Sequence, residues 1–441
     1  MSKLALLGGE KAVKTSPLPP EMTKWPIINK EMEDNVLDVL RRGAMSGSDV
    51  TKKFEDEYAK WHGMKYAVGA NNGTAALQCA YYGAGIGVGD EVICPSITYW
   101  ASCLSLYSLG ATVVFADIDA TTLCLDPKDF ERKITKKTKA VIVVHYIGYP
   151  AEMDAILAIA KKHKVKVIED ASHAHGSLYK GKIVGSFGDA SGFSLMSGKA
   201  FAIGEAGIML TDDREIYERA ITFGFYERHK ELTIDYLKAG KGIPWGGYKY
   251  RMHQMSAAVG LAQLKKYGAE TAEIDKAMNF FWDRLYGVPG IHAHRPVKGS
   301  GSTMGGWYNA RGLYRKEEID GLSISRFCEA LRAEGFPSHP GCNKALHVHP
   351  LFNTIDVYGH GKPTRIVNND KSVIQPIGSL PVAEGLQSKV FSIPWFKKFN
   401  EKILVEYADA VKKVVDNHKE LLKDDKGDQD EAGGWGLTFK F

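Results

Sequence analysis

Four groups of residues in this 441-residue chain are of types and spacings that could do chemistry together. Asp170 closes the run Val165-Lys166-Val167-Ile168-Glu169-Asp170, which reads as a buried strand ending in an acid. In open α/β sheets ligands bind outside the carboxyl ends of the strands, so this carboxylate points at the expected site. An acid placed there favours the protonated form of a nitrogen base beside it. One strand further along, Lys199 follows Phe193-Ser194-Leu195-Met196-Ser197-Gly198 and precedes Gly204-Glu205-Ala206-Gly207. Ser194 can bond a phosphate there, and the glycines let a ligand approach the backbone. Asn72-Gly73-Thr74-Ala75-Ala76-Leu77 opens onto a helical pattern, and a helix N-terminus presents free N–H groups and a positive dipole to an anion. In Pro95-Ser96-Ile97-Thr98-Tyr99-Trp100 an aromatic follows another strand. Tyr99 is the choice for a plane against a bound ring, although periodicity does not separate it from Trp100.

Each group has an ordinary explanation. Asp170 before Ala-Ser suits a helix N-cap. A lysine among small residues is usually solvated, Asn72-Gly73-Thr74 can be a plain capped helix, and an aromatic can be core. Together they are the set that pyridoxal 5′-phosphate requires: a lysine for the Schiff base, a carboxylate on the pyridine nitrogen, a phosphate cradle and a plane against the ring. His173 and His175, like His347 and His349, lie two apart, but no Cys or carboxylate stands at zinc-like intervals, so no metal is expected. Neither a GxxxxGK[ST] loop nor a GxGxxG after the first strands occurs.

These residues need a frame. From about Trp25 to residue 215, β-rich runs alternate with helix-period segments, which predicts a doubly wound, largely parallel sheet. Strands are expected at 66–69, 91–95, 112–117, 140–146, 165–170, 190–194 and 207–211, with helices at 74–82, 99–109 and 153–162. Residues 224–250 read as a long surface excursion. A long helical pattern from Gln254 to about Tyr286 precedes Val288-Pro289-Gly290, a boundary signal. The expected organisation is an N-terminal arm (1–25), a large domain (26–287), a smaller C-terminal αβ domain (288–423) and a mobile tail (424–441), in which Trp435–Phe441 is apolar enough to dock. The net charge of +5 is small and no block of like charges marks a nucleic-acid or membrane tail, so neither partner is expected. The six cysteines form no CxxC pair and sit mostly in apolar runs, which suits a reducing compartment. The run Leu4–Leu7 is too short for a signal-peptide core and no stretch of about 18 apolar residues occurs, so a cytoplasmic location is expected.

In their order the blocks NNGTAAL, GDEVICPSIT, VVHYIGYPAEMD, VIEDASHAHGS, GDASGFSLMSGKAFAIGEAG and GGYKYRMHQMSAA resemble the fold-type I sugar aminotransferases of the DegT/StrS family, from Gly8 to about Trp395. The resemblance implies that Lys199 carries pyridoxal phosphate and then moves the proton as general base. It also implies that Asp170 pairs the pyridine nitrogen, His173 sits beside the ring hydroxyl, Gly73, Thr74 and Ser194 hold the phosphate, and Tyr99 stacks. Lys249 stands where the family usually has an Asn that reaches the phosphate of the second subunit. Lysine is still a phosphate donor, which implies a homodimer with shared sites. His347 lies in a segment similar to one that lines the family's substrate entrance. The Gly8-Gly9 opening, Trp25-Pro26 and LPVAEGLQSKVFSIPWF look like the cyclitol and aminohydroxybenzoate branch. That branch implies an amino group passing from glutamine or glutamate to a scyllo-inosose-like keto-cyclitol or keto-sugar.

Three alternatives stand beside that reading. A nucleotide-linked keto-sugar as acceptor would need a basic pyrophosphate clamp, for which Arg228, His229, Lys230 and Lys241 are the candidates. A dehydratase or aminohydroxybenzoate-type synthase would lose water without consuming an amino donor. A sensor would bind without turnover, and retention of both Lys199 and Asp170 argues against it.

Overall fold

The protein, described by a computed structural model for residues 3–429, is built on a seven-stranded sheet. Its order is Tyr66–Ala70, Gly207–Thr211, Ala190–Ser194, Lys166–Asp170, Thr138–Val144, Glu91–Pro95, Thr112–Ala116. Gly207–Thr211 runs antiparallel to both neighbours and the other strands are parallel. These strands are buried nearly throughout and rich in Val, Ile and Ala, as parallel strands covered on both faces must be. Helices Gly73–Gly83, Pro127–Lys133, Met153–His163 and Arg214–Gly224 pack against them. The carboxyl ends of six strands, at Ala70, Pro95, Ala116, Val144, Asp170 and Ser194, therefore lie along one edge. That edge is where a ligand is expected.

A second core forms around the antiparallel strands Ile291–Ala293, Arg311–Tyr314 and Val390–Ser392 with helices Ile324–Ala333 and Glu401–Asp416. The N-terminal segment belongs to this core. Leu4, Val13 and Met22 are buried in it, and the buried Glu334 carboxylate accepts from Ala5 N and Ala12 N at 2.8 Å each. The long helix Gln254–Arg284 runs from the first core into the second.

Two expectations change. The predicted helix over 99–109 is two 3-10 pieces, Trp100–Ser102 and Leu104–Leu109, and the break turns Ser102 Oγ onto Asp170 Oδ2 at 2.6 Å. Within 224–250, Arg228 and His229 are buried rather than on the surface. Arg228 is drawn in by Glu55 (2.9 Å) and Glu231 (3.0 Å) and bonds the Tyr217 hydroxyl at 2.8 Å. Of the stretch expected to be mobile, the described part is bonded to the start of helix Ile324–Ala333: Ser323 N donates to Asp425 and Ile324 N to Asp428. Residues 430–441, with the segment expected to dock, lie outside the described residues.

The strand that carries Asp170 is held one residue earlier. Glu169 is fully buried and accepts from His145 Nε2 (2.9 Å) and from the backbone N–H of Gly185, Phe187 and Gly188 (2.7 Å each). His145 Nδ1 accepts from Ala151 N, so its hydrogen lies on Nε2 and points at Glu169. Burial works against the carboxylate, but His145 and the N–H groups outweigh it and hold its pKa below the ordinary 4.5. A lowered carboxylate pKa contributes stability that is complete above the ordinary value and lost as pH falls through the lowered one. All four groups around Glu169 are donors, so Glu169→Gln aims an NH2 group at donors. The expected cost is about 3 kcal/mol at neutral pH. Thermal melting from pH 7 to pH 3 checks this: the variant should melt lower at pH 7 and lose less than the parent on acidification.

Candidate active site

The phosphate-binding candidate is the start of helix Gly73–Gly83. Asn72 caps it by accepting from Ala75 N at 2.8 Å. The N–H groups of Gly73 and Thr74 have no acceptor inside the helix, so they and the helix dipole are available to an anion. A Cβ on Gly73 would stand 2.6 Å from Ser194 Cβ, so only glycine lets the turn meet the end of strand Ala190–Ser194 this closely. Ser194 N in turn donates to Ser172 Oγ at 2.9 Å. Gly73, Thr74 and Ser194 are thus brought together.

From Ser172 the contacts run on to the acid. Ser172 N donates to Asp170 Oδ1 (3.1 Å), Ser102 Oγ donates to Asp170 Oδ2, and Ser102 Oγ is 2.7 Å from Thr98 Oγ1, beside Tyr99. Asp170 and Lys199 are each only 6% exposed, and neither has an ion-pair partner among the described residues. Burying a charge without a counter-charge is costly. A buried acid and a buried lysine, the one closing and the other following neighbouring strands of this edge and neither ion-paired among the described residues, suit a ligand that serves both.

Lys199 Nζ lies 4.4 Å from the centre of the Tyr308 ring. That ring also meets the His173 ring, at 4.7 Å between centroids. Burial, reinforced by the nearby Lys199 charge, holds the His173 pKa well below its ordinary value. His173 Nδ1 accepts from Ile147 N at 3.3 Å, which leaves Nε2 as the N–H. Tyr99 is half-buried, its ring 4.7 Å from that of Trp100. Burial, with Tyr308 near, raises its phenol pKa.

Two predicted residues stand apart from this chain of contacts. Lys249 is exposed, its Nζ 5.9 Å from the Tyr226 ring. His347 is fully buried, with Nδ1 2.8 Å from Ser96 Oγ and Nε2 2.9 Å from Glu384 Oε1. Both of its nitrogens are engaged, so it ties the segment after strand Glu91–Pro95 to the helix Pro381–Glu384 and presents nothing to an entrance. Sequence reasoning missed Tyr308, Ser102 and Trp25, whose indole N–H donates to Lys199 O at 3.0 Å. Tyr308 sits in a glycine-rich stretch without periodicity, and Ser102 was hidden inside an apparent helix.

The residues fit pyridoxal phosphate. An anion cradle, an unpaired buried acid and an unpaired buried lysine lie along one sheet edge, with aromatic rings beside them.

Comparison with known proteins agrees. The model of the DegT/DnrJ/EryC1/StrS aminotransferase family matches residues 26–411. The chain is 29% identical over 440 residues to the L-glutamine:scyllo-inosose aminotransferase of Streptomyces griseus, covering 96% of this chain and 100% of that one. It is 41% identical over 223 residues to the GDP-perosamine synthase of Escherichia coli O157:H7, covering 50% of this chain and 59% of the relative. The crystal structure of 3-amino-5-hydroxybenzoic acid synthase superposes with a TM-score of 0.75 at 27% identity, over 90% of this chain and 99% of that one. With a buried lysine and acid at the strand ends and a family match across most of its length, the chain belongs to the DegT/DnrJ/EryC1/StrS aminotransferase family and is a pyridoxal-phosphate-dependent aminotransferase.

Proposed function

We propose that this aminotransferase moves an amino group from glutamine or glutamate to a keto-cyclitol of the scyllo-inosose kind, or to a similar unactivated keto-sugar. The observation that carries this reading over a nucleotide-linked acceptor is the state of Arg228. Of the four clamp candidates, Arg228 is buried and its charge is spent on Glu55 and Glu231. Burial opposes that charge, but the two acids outweigh it and raise its pKa above the ordinary value. His229 is buried too, its Nδ1 accepting from Gly242 N, and burial lowers its pKa. Lys230 and Lys241 alone remain exposed, too little for a diphosphate. The end-to-end likeness to a scyllo-inosose aminotransferase supports the same reading. The higher but partial identity to a GDP-perosamine synthase favours the nucleotide-sugar alternative.

When bound, pyridoxal phosphate supplies an aldehyde for the amine and a ring that takes up electrons released at the substrate carbon. Asp170, oriented by Ser102 and the Ser172 N–H, would keep the pyridine nitrogen protonated. Gly73, Thr74 and Ser194 would hold the phosphate. The His173 Nε2–H would serve the ring hydroxyl, and Tyr99 would lie against the ring. Lys199 would anchor the cofactor and, once freed, would move the proton as general base. Lys249, exposed, would serve the phosphate of a second protomer in a homodimer. Leu37 and Leu40 on helix Lys30–Arg41, with Met45 after it, are exposed apolar side chains that support that assembly.

Lys199→Ala should keep the fold, read by circular dichroism, and lose turnover by at least about a thousandfold; substantial residual transamination would defeat the assignment. Asp170→Ala should hold the cofactor weakly and turn over at about a hundredth of the parental rate or less, and a near-normal rate would mean another acid serves the nitrogen. The visible band of the holoenzyme should bleach with glutamine or glutamate alone and return with scyllo-inosose. Return only with a nucleotide-linked keto-sugar would select the alternative, and indifference to both donors would point to a dehydratase or synthase.

A further inference from the structure

The loop Met304–Asn309 carries a bulky residue in a backbone conformation that disfavours it. Trp307 has φ of 53°, in the left-handed region that few non-glycine residues occupy, whereas Asn309, at the same φ, is of a type that tolerates it. Such strain persists only where the surroundings over-determine it, and it clusters at functional sites. The restraints here are visible. Trp307 is buried and its indole N–H donates to Asp275 Oδ1 at 2.8 Å. Asn309 O and Oδ1 both accept from Arg311 Nη1 at 2.8 Å. A Cβ on Gly305 would stand 2.4 Å from His175 O, and one on Gly306 would stand 2.4 Å from Cβ of Ala200, the residue after Lys199. The Trp395 indole N–H closes the set on Gly306 O at 3.0 Å.

Tyr308 follows the strained Trp307. It is buried, with one ring set against both Lys199 Nζ and His173. We propose that Tyr308 is a positioning residue whose ring face holds the Nζ of Lys199 in place for proton transfer. The inference rests on the assignment of Lys199 made above. A lysine released from its cofactor has a long flexible stem and must be kept in place while it moves the proton. Its main chain is fixed by the Trp25 indole at Lys199 O, and its tip is met by the Tyr308 ring. An ammonium within about 6 Å of an aromatic centroid is attracted to the ring face. The titratable groups that bear on Nζ are His173 and His175, from the loop after strand Lys166–Asp170, and Tyr308 itself. Burial first, and the Lys199 charge second, hold the pKa of both histidines well below the ordinary value. With no carboxylate paired to Nζ among the described residues, the ring face is the group that meets the amine.

The test compares the parent, Tyr308→Phe, Tyr308→Leu and Lys199→Ala as apoenzymes given pyridoxal phosphate, followed by single-turnover bleaching with glutamine. The visible band reads whether the lysine captures the cofactor, and the bleaching rate reads how well the freed side chain moves the proton. Tyr308→Leu should keep the visible band and slow bleaching about tenfold. Tyr308→Phe, which keeps the face and loses the hydroxyl, should bleach within about twofold of the parent. Where Tyr308→Leu fails to melt cooperatively, Tyr308→Met carries the same expectation. Bleaching at the parental rate in the leucine or methionine variant overturns the proposal. So does a phenylalanine variant as impaired as the leucine one, since the hydroxyl would then be the acting group. Failure of the Lys199 reading itself looks different: the parent forms no visible band, or Lys199→Ala forms the same one.

Discussion

The structure depends on keeping two opposite charges out of water without letting them neutralise each other. Asp170 and Lys199 are both buried at one edge of the sheet, and neither is ion-paired among the described residues. A direct pair between them would be cheaper to bury and useless to a ligand. The fold prevents it by fixing each group separately. Asp170 closes a strand whose preceding residue, Glu169, is bound by four donors, and its own oxygens are met by Ser102 and the Ser172 N–H. Lys199 is fixed at its carbonyl by Trp25 and at its tip by Tyr308. A single cofactor with a ring nitrogen and an aldehyde would serve both groups.

The sheet supplies the common edge, and the second core supplies the cover. The strand ends at Ala70, Pro95, Asp170 and Ser194 set the cradle, the serines and the acid in place by backbone geometry alone. The aromatic cover comes from elsewhere in the chain. Trp25 follows the arm docked on Glu334, Tyr308 precedes strand Arg311–Tyr314, and Trp395 follows strand Val390–Ser392. The Trp395 ring meets both of the others, at 5.9 Å from Trp25 and 6.3 Å from Tyr308. Three segments far apart in sequence therefore share one aromatic cluster against the lysine loop. A shift of the second core would be felt at Lys199 through these rings.

What could be read from the sequence follows from what is local. The strands were legible because parallel strands buried on both faces are continuous apolar runs between turns, and their ends named Asp170, Ser194 and the Asn72-Gly73-Thr74 cradle. The helix 99–109 misled because its apolar spacing is real, while the hydrogen bond from Ser102 to Asp170, which breaks its regularity, joins residues in different strand-end loops. His347 misled for a related reason: its segment has the look of an entrance, but Ser96 and Glu384, which engage its ring, lie far from it in sequence. Tyr308 was invisible because nothing in GGWYNARG marks a left-handed tryptophan. The close approach of Gly305 to His175 and of Gly306 to Ala200, which frames that turn, exists only in the fold.

Arg228 shows how far such non-local pairing reaches into function. A basic run, Arg228-His229-Lys230, in a glycine- and aromatic-rich stretch reads as an exposed anion clamp when charges are counted along the chain. In the fold, Glu55, on the helix Asp49–His62, and Glu231, on the same turn, take the guanidinium, while Glu55 also receives Gly69 N at the end of the first strand. The arginine thereby fastens the excursion to the strand that leads into Asn72 and Gly73. Its charge is committed to that support, and a charge committed there is not free for a substrate diphosphate. The ion pair thus steadies the turn at Gly73 through Glu55 and Gly69, and its commitment there is in keeping with the uncharged polyhydroxy acceptor proposed above.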